Sequence, residues 1–312
     1  MFQCQRQPKA VFIALFVTLF CLWSQSSRAV MSEFKSFSVT VYEPEQSQTP
    51  EATSRPAPVL LIPGLMSDGS IWQSTVAALR QQREVHVVHL AGFAGKAAIA
   101  GSLLAQVQQE LMQYIKQQQL QKPVIIGHSL GGFLAFALAS QAPDVIGPIV
   151  AVDGVPYLAP IFTRDANTQV AQIQAQAEQM KQFYQQVSAE QFQASIRQGL
   201  FIQAQAGANA DKVLAMAMAS DRQTVGQVMY ELLTTDLRPQ VRHIQQPVLL
   251  LGAGGALPSA AMRPAVEALY QQQIATVPNA RLVFNWQSRH FMMLDSPEWM
   301  LNEINKFLQE AA

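Results

Sequence analysis

The segment PVIIGHSLGG at residues 123–132 decides the fold class of this chain. Its first half is an apolar run of the kind found in buried strands, and the run stops at Gly127. Ser129 follows, and the pair Gly131 and Gly132 opens an apolar stretch with helical character. The segment therefore predicts a strand, a very tight turn that carries one serine, and a helix.

The residues from Gly127 to Gly131 fit the pattern G-x-S-x-G, between the strand and the helix that this pattern requires. A turn this tight holds the serine in a strained backbone conformation with its hydroxyl exposed. Side chains two residues before or after the serine would collide with the turn, which accounts for both glycines. Ser129 is therefore a predicted nucleophile, with the N–H of Leu130 available to an oxyanion. The alternative is an ordinary glycine-rich turn.

Short apolar runs alternate with helical stretches along most of the chain. This order predicts an α/β fold, with a mostly parallel sheet covered by helices on both faces and its chemistry at the carboxyl ends of the strands. The strand at 34–42 alternates apolar and polar residues like an edge strand. Further strands are expected at 59–64, 84–90, 123–127, 147–154, 247–252 and 280–286, and helices at 72–82, 102–120, 130–140, 260–272 and 299–309.

Residues 156–240 interrupt this alternation. They are rich in Gln and Ala and contain no convincing strand, but apolar residues recur at helical spacing, as in the stretch 169–187. We interpret them as a helical cap, or lid, inserted between two parts of the core, 30–155 and 241–312. Several apolar side chains of the cap could line a substrate pocket beneath it, but most are expected in the core of the cap: Ile161, Phe162, Phe183, Phe192, Phe201, Met216, Met218 and Met229.

The first 29 residues differ from the rest of the chain. Two basic residues precede an apolar run over residues 10–23, and two small residues, Ser27 and Ala29, follow it. This pattern predicts an export signal over residues 1–29, cleaved after Ala29, and hence a periplasmic or secreted protein. The apolar run is shorter than the ~20 residues of a membrane-spanning helix, so no stable membrane span is expected after cleavage. An uncleaved membrane anchor is the alternative.

The positions of the cysteines limit disulfide formation and thiolate metal binding in the mature chain. Cys4 and Cys21 are the two cysteines, and both lie inside the predicted signal. A mature chain would therefore form no disulfide and bind no metal through thiolate. A lipid anchor on Cys21 is disfavoured, because Phe20 stands where lipoprotein signals need a small residue.

Charge and motif content exclude several classes of partner. The chain has 21 Lys and Arg against 21 Asp and Glu, with no basic block, so nucleic-acid binding is not expected. His86 and His89 lack metal-ligand geometry, because side chains three residues apart on a strand point to opposite faces. The sequence contains no phosphate-binding glycine loop and no nicotinamide fingerprint. Neither a metal nor a cofactor is expected.

A serine nucleophile needs a base, and the chain has five histidines. His290 lies in the segment NWQSRHFMML, between the last predicted strand and the last predicted helix. That position brings it to the same sheet edge as Ser129, so His290 is the predicted base. The other four are less suitable: His86 and His89 within a strand, His128 on the far side of the turn from Ser129, and His243 in a polar connector.

Four stretches together resemble the α/β-hydrolase fold superfamily, of the esterase, lipase and haloperoxidase-like type with an inserted helical lid. They are VLLIPGLMSDGSIW (59–72), VIIGHSLGG (124–132), IVAVDG (149–154) and SRHFMMLDSPEWMLNEINKFL (288–308). The resemblance implies Ser129 as nucleophile, His290 as base, and an oxyanion hole from the N–H groups of Leu130 and Leu65. Met66 is the alternative to Leu65.

The carboxylate that should orient His290 departs from the usual pattern of these proteins. Most members carry it after the strand that follows the lid, but residues 249–260, LLLGAGGALPSA, contain no Asp or Glu. Some relatives carry it after the strand that follows the nucleophile helix, where this sequence has Asp153. Asp153 is therefore the predicted acid. The alternatives Asp236, Asp295 and Asp68 are expected to be structural.

The resemblance implies hydrolysis of a carboxylic ester by a Ser-His-Asp triad through an acyl-enzyme, with a small-molecule apolar ester or related acyl compound as substrate. Thioesterase, carbon–carbon hydrolase and perhydrolase activities use the same residues and stay open. A non-catalytic ligand-binding member of the fold is a further alternative, favoured only by the missing acid at the usual position.

Export predicts a measurable change in the chain. The protein purified from its native host is expected to lack residues 1–29, because the small residues Ser27 and Ala29 fit a signal-peptidase site. Intact-mass spectrometry measures this, with the cytoplasmically expressed chain as the full-length reference. Recovery of the full mass from the native host would contradict cleavage and support an anchor.

Overall fold

The structure is a computed structural model that describes Met1 and residues 27–30, 34–45 and 56–311 of the chain. Most of the predicted export signal lies outside these residues. Among the described residues, no helix is both long enough and apolar enough to span a bilayer.

Eight strands form one sheet in the order β1-β2-β4-β3-β5-β6-β7-β8. The pairs β1–β2 and β2–β4 are antiparallel, and every pair from β4 to β8 is parallel. The strands are β1 Ser27–Val30, β2 Phe37–Tyr42, β3 Val59–Ile62, β4 Val85–Leu90, β5 Val124–His128, β6 Ile149–Val152, β7 Val248–Ala253 and β8 Ala280–Asn285. The predicted mostly parallel α/β sheet is confirmed.

Eleven α-helices and three short 3-10 helices are described. The α-helices are α1 Gln73–Leu79, α2 Leu103–Gln117, α3 Leu130–Gln141, α4 Ala159–Thr163, α5 Val170–Gln186, α6 Ala189–Gln203, α7 Ala208–Met218, α8 Arg222–Thr234, α9 Arg263–Gln273, α10 Met292–Asp295 and α11 Pro297–Glu310. The 3-10 helices are Gly69–Trp72, Val241–His243 and Ala260–Met262.

Both faces of the parallel strands are buried, which explains why they read as unbroken apolar runs. In β5, Ile125 packs in a cluster with α2 and α3, whereas Val124 and Ile126 point to the opposite face. That second face packs against α1 and α11, and side chains such as Val76 and Met300 cover it. Each buried aliphatic side chain contributes roughly 1.5–3 kcal/mol, so the core fixes the register of the strands.

In the uncleaved chain the edge-strand prediction for 34–42 is wrong, because β1 pairs with β2 and separates it from the edge of the sheet. The alternation of Phe37 to Tyr42 reports that one face is polar, but it does not report whether another strand is paired alongside. The pairing residues Ser27–Val30 belong to a segment interpreted as a signal, and they cross the expected cleavage position after Ala29.

The inserted segment between β6 and β7 is helical, and the described residues there contain no strand. Helices α5 and α8 share a small core in which Ile173 and Ala177 pack with Leu233. The predicted burial of cap residues is correct for Phe192 and Met216 but wrong for three phenylalanines. Phe162, Phe183 and Phe201 are exposed by 46%, 47% and 57%, because helical periodicity alone does not say which apolar face finds a partner.

The turn between β5 and α3 depends on two close backbone approaches. A Cβ atom at Gly127 would overlap the carbonyl group of Gly131, and one at Gly131 would overlap the carbonyl oxygen of Ile62. Both obstacles are backbone atoms of the core, which cannot move aside cheaply. The glycines of the motif therefore let β5, α3 and β3 approach one another.

Gly127→Ala is expected to lower the free energy of unfolding by about 3 kcal/mol or more, because the added methyl group overlaps the main chain. Urea denaturation of the purified protein measures the change. Gly199→Ala is the matched control, since its Cβ meets nothing within 4 Å. In the middle of α6 this control should gain roughly 0.5–1 kcal/mol. Equal effects of the two changes would contradict the packing argument.

Candidate active site

The predicted site residues meet at the carboxyl edge of the sheet. Ser129 follows β5, Asp153 follows β6, His290 follows β8, and Leu65 follows β3. Parallel strands bring these ends to one side of the sheet. Residues that are up to 225 positions apart by their numbering, Leu65 and His290, thus border one region.

Ser129 has a backbone conformation that few non-glycine residues adopt, with φ 51° and ψ −112°. Its N–H donates to the carbonyl oxygen of Val152 at 3.0 Å, which ties the turn to the end of β6. Strain of this kind costs ~1–3 kcal/mol and is concentrated at functional sites. The Ser129 hydroxyl forms no hydrogen bond with the described residues, and such bonds are often loose before substrate binds.

Asp153 and His290 are in direct contact. The Asp153 Oδ2 atom lies 2.6 Å from Nδ1 of His290, and the two side chains are 8% and 21% exposed. The carboxylate accepts the Nδ1–H, which leaves Nε2 of the neutral ring free to take a proton. Asp153 also has a positive φ, 48°, so both Ser129 and Asp153 occupy strained backbone positions. The aspartate chosen from sequence is the one that the structure brings to His290.

The second oxygen of Asp153 has two donors from a different part of the chain. The Tyr270 hydroxyl donates to Oδ1 at 2.8 Å, and the N–H of Ala253 donates at 3.0 Å. Ala253 ends β7, in the segment where most relatives were expected to carry the acid. Sequence reasoning missed Tyr270, because nothing in its helix marks it as different from a core tyrosine.

The absence of an acid after β7 coincides with close packing of aromatic rings. A Cβ atom at Gly252 would overlap the ring of Phe284, and one at Gly254 would overlap the ring of Trp286. Those two rings stack at 4.4 Å with an interplanar angle of 8°. Gly252 near the end of β7 and Gly254 after it therefore leave room for this stack.

His128 was expected on the far side of the turn from Ser129, and the structure shows that it contacts the backbone and the ring of His290. Its Nε2–H donates to the carbonyl oxygen of His290 at 3.1 Å, and the two ring centroids are 4.5 Å apart. Burial, and secondly the neighbouring His290, hold the pKa of His128 well below its ordinary value. A neutral His128 therefore supports the histidine loop without adding a charge next to it.

The candidate oxyanion donors come from two segments, the start of α3 and the turn after β3. Leu130 is the first residue of α3, where backbone N–H groups have no partner within the helix. Leu65 and Met66 form a turn closed by the Ser67 hydroxyl, which donates to the Gly64 carbonyl at 3.0 Å. No described residue accepts a hydrogen bond from the N–H of Leu65 or Met66.

The remaining acid candidates have structural partners. Asp68 accepts the N–H of Ser70 at 2.9 Å and starts a 3-10 helix. Asp236 pairs with Arg238 at 2.7 Å. Asp295 accepts the N–H of Gln205 at 3.0 Å, at the junction of the cap helices α6 and α7. The described residues contain no group of three or more His, Cys, Asp or Glu that could hold a metal ion.

The loop that carries His290 is attached to the cap by its backbone. The N–H of His290 donates to the carbonyl oxygen of Ile202 at 3.1 Å, and the N–H of Phe291 donates to that of Gln203 at 2.7 Å. Asp295 adds to this attachment by accepting the N–H of Arg289 at 3.1 Å. The position of the histidine loop is therefore coupled to the end of α6.

Comparison with known proteins assigns this chain to a family. The model of the alpha/beta hydrolase family matches residues 59–303. The chain belongs to the alpha/beta hydrolase family, which confirms the resemblance and the predicted enzyme class, a hydrolase.

Two curated relatives are similar to this chain at 26–28% sequence identity. The pimeloyl-[acyl-carrier protein] methyl ester esterase of Vibrio vulnificus is 26% identical over 258 residues, covering 80% of this chain and 93% of that protein. The protein of the same name from Vibrio cholerae is 28% identical over 200 residues, covering 62% and 73%.

Solved structures share the fold. MenH from S. aureus has a TM-score of 0.70 at 12% identity, covering 88% of this chain and 98% of that one. The enol-lactonase from Burkholderia xenovorans LB400 has a TM-score of 0.66 at 16% identity, covering 88% and 97%. Identities this low establish the fold alone.

Asp295→Ala is expected to lower the free energy of unfolding by about 1–3 kcal/mol, because it leaves the N–H groups of Gln205 and Arg289 without their acceptor. Urea denaturation measures the loss. The matched control is Asp144→Ala, an exposed aspartate, which should change stability by less than ~0.5 kcal/mol. Indistinguishable variants would show that Asp295 does not hold the cap to the histidine loop.

Proposed function

We propose that this chain is an exported serine hydrolase that cleaves carboxylic esters through an acyl-enzyme. The observations that carry the proposal are the 2.6 Å contact between Asp153 and Nδ1 of His290 and the strained backbone of Ser129 at the same sheet edge. A buried carboxylate on Nδ1 fixes the ring tautomer that a general base needs. A strained serine at the end of a parallel strand supplies the nucleophile.

In the acylation step, the Ser129 oxygen attacks the ester carbonyl carbon while Nε2 of His290 takes the hydroxyl proton. The tetrahedral oxyanion lies between the N–H groups of Leu130 and Leu65, with Met66 as the alternative donor. His290 then gives its proton to the leaving alcohol. Asp153 stabilises the imidazolium throughout and stays ionised.

In the deacylation step, His290 removes a proton from water, and the resulting nucleophile attacks the acyl carbon of the ester on Ser129. The proton returns to the serine oxygen as the acid leaves. The same two N–H groups receive the second oxyanion, so one preorganised site serves both steps.

The first substrates to test are methyl esters of apolar carboxylic acids. The similarity to curated methyl ester esterases supports this choice. Thioester, carbon–carbon and peracid chemistry require the same residues, and a substrate panel distinguishes them. Tight binding of such a compound without turnover would instead favour a ligand-binding member of the fold.

Export is part of the proposal and rests on the composition of residues 1–29. Cleavage after Ala29 would remove three of the four residues of β1 Ser27–Val30. The sheet of the mature protein would then begin with β2. The register of β2 with β4 extends over all six residues Phe37–Tyr42, so the rest of the sheet does not need β1 for its pairing.

Labelling by a fluorophosphonate probe tests the nucleophile. Wild type is expected to label, and Ser129→Ala and His290→Ala are expected to lose labelling, because the probe needs an activated serine. Asp153→Asn should slow labelling and ester turnover by up to ~10⁴. The control is Ser140→Ala, which changes a serine near the end of α3 and is expected to keep full labelling.

Two outcomes would count against the proposal. Folded wild type that never labels would show that Ser129 is not activated. An Asp153→Asn variant with less than about a tenfold loss would assign the acid to another residue, since the wrong tautomer costs far more than that.

A further inference from the structure

We propose that Tyr270 is a positioning residue, which holds the Asp153 carboxylate in the orientation that His290 requires. This inference rests on the proposed function, because it gives Asp153 the role of orienting the base. Tyr270 touches neither Ser129 nor the histidine ring in the interactions described, so it acts through Asp153.

The two oxygens of the Asp153 carboxylate have different hydrogen-bond partners. Oδ2 faces His290 at 2.6 Å. Oδ1 accepts the Tyr270 hydroxyl at 2.8 Å and the Ala253 N–H at 3.0 Å. Two donors on one oxygen fix the plane of the carboxylate, and a fixed plane keeps the other oxygen directed at Nδ1. The three groups are the hydrogen-bond partners that the described residues provide for this side chain.

The Tyr270 ring is itself held in place. Tyr270 lies in α9 and is 6% exposed. Its ring meets the edge of Phe284 at a centroid distance of 5.0 Å and an angle of 69°. Phe284 in turn stacks on Trp286, and the Arg263 guanidinium lies 5.1 Å from the Trp286 ring centroid. A buried ring in this stack has little freedom to turn its hydroxyl away.

The hydroxyl of Tyr270 is the donor in its contact with Asp153. Burial, and secondly the charge of Asp153, raise the pKa of Tyr270 well above its ordinary value. A carboxylate oxygen can only accept, so the hydroxyl hydrogen points to Oδ1. Donation to an ionised acceptor is about twice as strong as a neutral hydrogen bond.

The place of the acid in the sequence explains why such a donor is needed. Asp153 sits on a turn with φ 48°, immediately after β6. The end of β7 and the residues after it contribute no carboxylate, but Ala253, the last residue of β7, contributes its N–H, and the following helix α9 contributes Tyr270. The part of the chain that carries the acid in most relatives thus serves here as its hydrogen-bond donor.

Tyr270→Phe is the direct test, because it removes the hydroxyl and leaves the ring stack intact. The rate of fluorophosphonate labelling and kcat for an ester are expected to fall about tenfold, the effect of losing one hydrogen bond to a charged group. KM should stay unchanged, because Tyr270 does not contact substrate. The downfield proton resonance of the Nδ1–H on His290 should shift or broaden.

Tyr157→Phe is the matched control. Tyr157 is also fully buried, and its hydroxyl has no hydrogen-bond partner among the described residues. This variant should keep wild-type labelling, kcat and the histidine resonance. Thermal unfolding of both variants separates a loss of stability from a loss of positioning.

A double-mutant cycle shows whether Tyr270 acts through Asp153. Removing the hydroxyl in the Asp153→Asn background should change the labelling rate by less than twofold, against tenfold in wild type. The paired variant also lowers the demand for the hydroxyl, because the carboxylate charge is gone. If Tyr270→Phe alone fails to fold, the double variant compared with Asp153→Asn still tests the inference, because a tenfold loss there would show that the hydroxyl acts without the carboxylate.

The outcomes separate this inference from the proposed function. Equal tenfold losses in both backgrounds, or an unchanged histidine resonance in Tyr270→Phe, would overturn the positioning role. If wild type never labels, the proposed function fails, and the resonance alone then decides the inference. A shifted resonance in Tyr270→Phe and an unchanged one in Tyr157→Phe would still support it.

Discussion

The close approach of three backbone segments at the end of β5 is the constraint on which the rest of the structure depends. Gly127 and Gly131 lack the Cβ atoms that would overlap the backbone where the start of α3 approaches β5 and β3. That approach forces Ser129 to φ 51°, and it places the first N–H of α3 beside the serine. Strain, exposure of the hydroxyl and the candidate oxyanion donor are thus consequences of a single packing requirement.

His290 illustrates how a loop residue is held as firmly as a core residue. Its ring is fixed by Asp153, its carbonyl oxygen by His128 and its N–H by Ile202. These three partners belong to the end of β6, the end of β5 and the cap. A side chain on a loop reaches the precision that general base catalysis needs only when separate elements converge on it in this way.

The fold could be predicted from the sequence because each buried strand is visible as a short apolar run. Runs such as VLLI at Val59–Ile62 and VIIGH at Val124–His128 are buried on both faces, and each is readable within a few residues. The strand Ser27–Val30 escaped prediction because its four residues show no alternation of apolar and polar positions and lie in a segment interpreted as a signal.

The site was predictable only in part. Ser129 and His290 occupy positions that chain order defines, and Asp153 followed from the absence of an acid at the usual place. Tyr270 and the supporting role of His128 were not readable, because each depends on contacts across more than a hundred residues. Helical periodicity identifies Tyr270 as a core residue, but it does not report what its hydroxyl touches.

The attachment of α6 to the histidine loop has a consequence for the history and the engineering of this protein. Ile202 and Gln203 accept backbone N–H groups of residues 290 and 291, and Asp295 accepts the N–H of Gln205, so a backbone shift in one segment displaces the other. Helix α8 is attached elsewhere, because Val225, Val228 and Leu232 pack in the main core cluster with side chains of α2 and α3. A cap exchanged between family members is therefore best grafted with its own version of the histidine loop and with the core side chains that α8 contacts.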